Sequence, residues 1–99
     1  MAQSIEEIES VLSDLRIILN DESERNWSRS IDSILLLVQS GTEEDFVAAK
    51  SMYKTMCSGG AGFMGFYIKR DSFKEQLEIN TRLDNARDRL WNALVIETI

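Results

Sequence analysis

Ser4-Ile-Glu-Glu-Ile-Glu-Ser-Val-Leu-Ser-Asp-Leu-Arg-Ile-Ile-Leu19 is the stretch whose reading decides the fold. Ile8, Val11, Leu12, Leu15, Ile18 and Leu19 recur at spacings of three and four, which gathers them into one stripe of an α-helix. Glu9, Ser13, Asp14 and Arg16 fall on the other side. Ser4-Ile-Glu-Glu7 has the form of a capping box, in which the serine hydroxyl accepts from an orphan amide and Glu7 reaches back to the cap, so the helix is predicted to start at Ser4. A helix with a single apolar stripe must bury it against other elements, and the rest of the chain supplies more of the same kind.

After the polar cluster Asn20-Asp21-Glu22-Ser23, either Asp21 or Ser23 can cap a second helix that carries Trp27, Ile31, Ile34, Leu35 and Val38 inward and ends at Gly41. Thr42-Glu-Glu-Asp45 opens a third, with acids in its first turn where the positive end of the helix dipole favours them. Its stripe is Phe46, Ala49, Tyr53, Met56 and Cys57. Ser58 to Gly65 holds four of the five glycines, too many for a helix to run through, and Phe66-Tyr-Ile68 reads as a loop packed against the helices. Ser72-Phe-Lys-Glu75 is a second capping box, followed by Ile79, Leu83, Ala86, Leu90 and Leu94 at helical spacing. The expectation is an all-α, antiparallel four-helix array with a glycine-rich loop before the last helix, all within one domain of residues 1–99.

The counts narrow the chemistry. There is no histidine, which removes the usual imidazole base and most zinc sites, and the single Cys57 has no partner for an intrachain disulfide. A formal net charge of -6 argues against a nucleic-acid partner, because neutralising phosphates takes a cationic face. The longest strongly apolar run, Ile34 to Val38, is far short of the roughly 20 residues that span a bilayer, so no membrane association is expected. The first ten residues lack the basic and apolar regions of a secretory signal, and an unpaired cysteine suits a reducing compartment. A cytoplasmic chain without cofactor, metal or catalytic residues is the expectation.

Two features carry candidate sites. Acids and bases are segregated: eleven acids face three bases through Asp45, and six acids face eight bases from Phe46 onward. Asp21, Glu22 and Glu24 cluster at one helix junction and Glu43, Glu44 and Asp45 at the next; either set can cap helices, or steer a basic partner. Gly60-Ala-Gly62-Phe-Met-Gly65 matches the letters of a dinucleotide fingerprint, but a helix precedes it and no parallel strand leads into it. It reads better as a turn that folds Phe63, Met64 and Phe66 back onto the helices. Near a helix C-terminus, Cys57 is expected to be an inert apolar residue with a raised thiol pKa. Arg82, Arg87 and Arg89, alternating with Asp84 and Asp88, read as a solvated salt-bridge face.

The Gly59-Gly-Ala-Gly62 turn between two helices, with Trp27 upstream and Asn80, Leu83 and Leu90 downstream, resembles an uncharacterised family of small bacterial all-helical domains over residues 10–95. That resemblance implies a helical fold and a bacterial or phage origin, and it brings no activity with it. The family typically has polar residues after the turn, where this chain has Phe63, Met64, Gly65 and Phe66. By size, acidity and lack of histidine the chain is also similar to immunity proteins that neutralise toxins.

These observations favour a non-enzymatic protein-binding domain, an immunity or inhibitory factor whose partner is a basic toxin or effector. Asp21, Glu22 and Glu24 are expected to steer that partner, with Phe63, Met64 and Phe66 as the apolar anchor at the same end of the array. Two alternatives stay open. One is a self-associating module whose last helix pairs with its copy through Leu90, Trp91 and Leu94, with Leu36 and Leu37 as further residues for a partner to cover. The other is a nucleotide-binding enzyme that uses the glycine segment.

Overall fold

The structure, a computed structural model, describes residues 2–21, 25–58 and 62–96. Among them are four α-helices: α1 (Ala2–Asp21), α2 (Arg25–Gln39), α3 (Glu43–Cys57) and α4 (Phe73–Leu90). A short 3₁₀ turn (Phe63–Gly65) precedes α4, and a π-helical end (Trp91–Ile96) continues it. The array is all-α, as the stripes require. No helix among the described residues is long and apolar enough to cross a membrane.

Among the described residues the local signals work as the sequence implies, with one exception; Ser23 and the Asp21 side chain, the expected caps of α2, lie outside them. Thr42 accepts from the Asp45 amide at 3.1 Å and Ser72 from the Glu75 amide at 3.3 Å, each closing an orphan donor at a helix start. Gly41 takes φ of +77° and stops α2, a conformation in which a side chain on the residue would be strained. The exception is α1, which begins at Ala2 rather than at the Ser4 capping box. Ala2 and Gln3 are good helix formers, so the chain gains hydrogen bonds by winding past the cap signal.

The core contains all six stripe residues of α1, with Ile31, Ile34, Leu35 and Val38 from α2, Ala49 and Tyr53 from α3, and Leu83, Ala86, Leu90 and Leu94 from the last helix. Three consecutive residues, Ala93, Leu94 and Val95, are also buried, a wider face than an α-helical stripe presents, and it is there that the chain widens into its π-helical end between α1 and α3. Leu90 and Leu94 are therefore interior, and Trp91 lies partly buried with its ring 6.2 Å from that of Tyr53. Leu90 and Leu94 thus offer no surface to a second copy. Leu37 also packs against the core, whereas Leu36 is left 68% exposed.

Side-chain pairs fix the directions. Arg89, late in α4, bonds Glu7, early in α1, at 2.9 Å and lies 3.7 Å from Asp14, so the two helices are antiparallel. Arg16 of α1 pairs with Asp32 of α2. These are half-exposed pairs that set register more than they add stability, about 0–1 kcal/mol each. Following the α1/α4 pairing along the axes brings Asp21 level with Ile79, so the first two turns of α4 run past the end of α1.

Candidate functional site

The segment from residue 62 to residue 71 forms a strap over one end of the array. Two of its three aromatic side chains, Phe63 and Phe66, pack inward. Phe63 is completely buried, with its ring centroid 5.2 Å from Trp27, 6.4 Å from Tyr53 and 6.4 Å from Phe66. Trp27 opens α2 and Tyr53 lies near the end of α3, so the α1–α2 junction and the strap share one end, as the up-down arrangement predicts.

An irregular strap leaves backbone groups that no helix or sheet pairs, and α4 supplies their partners from one row of side chains. Gln76 accepts the Arg70 amide at 2.9 Å through Oε1 and donates to the Tyr67 hydroxyl at 3.0 Å. Asn80 takes both backbone groups of Ile68: its Oδ1 accepts the amide at 2.9 Å, and its Nδ2 donates to the carbonyl at 2.7 Å. Arg87 donates from Nη1 to the carbonyls of Phe63 at 2.5 Å and Phe66 at 2.9 Å, and from Nη2 to Asp84. Its guanidinium also lies 5.5 Å from the Phe63 ring centroid.

Arg87 corrects the sequence reading, because it is 4% exposed and not part of a solvated charge face. A buried cation is tolerated only when paired, and Asp84 neutralises it from a position whose own carboxylate still reaches water. Periodicity does put Gln76, Asn80 and Arg87 in one row with Leu83 and Leu90. Polar residues in a row of core leucines are the signal that sequence reasoning passed over.

Gly62 explains the turn differently from backbone freedom. Its φ of -79° is ordinary, but a Cβ there would come within 2.5 Å of the Ser58 carbonyl oxygen and 2.9 Å of that of Met56. The glycine lets the strap lie directly on the C-terminal carbonyls of α3. Those carbonyls present partial negative charge, the wrong sign for a phosphate cradle. Gly59 and Gly60 lie outside the described residues.

Cys57 is half-buried, and its thiol is pushed up, as expected, although the main cause is burial, not the helix end. Tyr53 is driven up more strongly, by burial first and then by the neighbouring Cys57. Its hydroxyl donates to the Arg87 carbonyl at 3.1 Å, which ties α3 to the residue that holds the strap. Neither group is poised for nucleophilic or acid-base work near neutral pH.

The predicted partner-binding residues separate accordingly. Phe63 is interior and offers no surface to a partner, Phe66 is partly buried, and Met64 is 36% exposed. Glu22, Glu24 and the Asp21 side chain lie outside the described residues. What the sequence reading missed is an apolar surface on the first turns of α4. Phe73 and Leu77, one turn apart on the projecting turns of α4, are 79% and 58% exposed, and Tyr67, bonded to Gln76 of the same turns, is 57% exposed. No protein-family model, curated protein or solved structure matches this chain.

Proposed function

We propose that this chain is a non-enzymatic protein-binding domain. The observation that carries the reading is the exposure of Phe73, Leu77 and Tyr67 at one end of a domain whose core is complete without them. Large apolar side chains set together on a surface cost solvation unless a partner covers them. The strap beneath is fastened by Gln76, Asn80 and Arg87, so the surface is rigid and little entropy is lost on docking.

The finer reading is an immunity or inhibitory factor that neutralises a basic toxin or effector. The acid excess of the first half supports it, since a sustained negative field speeds the encounter with a cationic protein and fades with salt. The test is capture from a cell extract on the immobilised chain at low salt. The intact chain should retain a protein that the F73D/L77D double variant loses and that D21K/E22K/E24K holds more weakly. If no protein is retained, or if both variants retain the same protein as well as the parent, the reading is wrong.

A further inference from the structure

We infer that the outward face of α4 pairs two copies of this chain in antiparallel fashion; this rests on the protein-binding reading and names a second copy as the occupant of that surface while the basic partner is absent. Lys74, Leu77, Thr81, Asp84 and Asp88 follow at spacings of three and four and share one side of α4, and all five are exposed. The Thr81 hydroxyl is engaged with the Leu77 carbonyl at 2.7 Å, so its methyl group extends the apolar stretch. The row thus reads basic, apolar, apolar, acidic, acidic along the helix.

Such a row is complementary to itself only when reversed. A two-fold axis near Ile79 sets Leu77 against Thr81 of the second copy. The same axis sets Lys74 against Asp84 of the second copy, whose exposed carboxylate also holds Arg87 of its own chain, with both contacts repeated by symmetry. A parallel pair would instead stack like charges. Phe73 and Tyr67 flank the seam and are covered at its edge. One helix pair falls in the class of weak interfaces, below about 1,200 Å² of total buried surface, so association is expected to be reversible and salt-sensitive.

Sedimentation or light scattering over a concentration series tests this. The apparent mass should climb from 11.3 kDa toward twice that value and fall back in high salt. K74E should weaken association by about fivefold or more, because each substitution counts twice across the axis. L77D should leave a monomer. Lys74 and Leu77 are exposed, so helicity by circular dichroism should not change in these variants. A single 11.3 kDa species up to millimolar concentration, or association that K74E leaves unchanged, overturns the pairing. A monomer that still captures a different protein through Phe73 and Leu77 sinks the pairing alone; a monomer that captures nothing sinks the protein-binding reading as well.

Discussion

The chain turns back at two glycine-bearing connections, and they are built on opposite principles. Between α2 and α3, Gly41 is needed for its backbone angle, and no atom lies within 4 Å of where its Cβ would be. The bonds that close this turn are local: the Ser40 amide to the Leu36 carbonyl at 3.1 Å, and the Thr42 cap at 3.1 Å. In the strap, Gly62 has an ordinary angle and is needed for space, and the fastening groups lie 6 to 24 residues away on α4. A glycine can serve a connection by conformation or by absence of volume, and the two failures spread differently. Loss at Gly41 strains one turn. Loss at Gly62 or Phe63 undoes an element that joins all the later helices.

The contrast can be broken most forcefully at Phe63. Phe63→Ala should cost about 3–5 kcal/mol, because it empties a site shared by Trp27, Tyr53 and Phe66 and removes the ring against Arg87. Chemical denaturation measures this, and a loss below about 1 kcal/mol would show that the strap is not part of the core.

The paired glycine substitutions sharpen the comparison. Gly62→Ala should destabilise by roughly 1–3 kcal/mol through overpacking against α3 carbonyls, and it should raise hydrogen exchange at the Ile68 and Arg70 amides. Gly41→Ala should cost about 1 kcal/mol through strain alone and leave the strap amides protected. Equal losses with equal exchange patterns would erase the distinction.

The smallest effect is in alkaline pH. Burial holds the Tyr53 hydroxyl protonated in the folded chain, so the unfolded chain ionises first and stability falls as pH rises through about 10, the ordinary tyrosine range. Cys57 adds a contribution of the same sign from the ordinary thiol range upward. Tyr53→Phe should flatten this limb while the response of the α2–α3 turn to pH is unchanged. Denaturation midpoints at neutral and alkaline pH compare the two chains, and an undiminished alkaline loss in the variant would place the titration elsewhere.

Much of this was legible in the chain itself. Apolar residues at helical spacing, Thr42 and Ser72 at the caps, and Gly41 after the second stripe define four helices because each signal acts within a turn or two of backbone. The candidate site was only partly readable. Phe63, Met64 and Phe66 could be assigned to one end of the array, but whether a phenylalanine there points inward depends on Trp27 and Tyr53 closing around it. Arg87 looked like surface because its neighbours Asp84 and Asp88 are charged, and its inward face is set by carbonyls 21 and 24 residues away.

What the sequence alone determined is therefore the set of helices and their apolar stripes, since those follow from short-range periodicity and local hydrogen bonding. Tertiary structure decided which polar groups were taken inside and which apolar ones were left out. Gln76, Asn80 and Arg87 are drawn inward because an irregular strap has backbone groups that need partners, whereas Phe73 stays in water because α1 ends before it reaches it, and Leu77 because it lies on the outward side of α4.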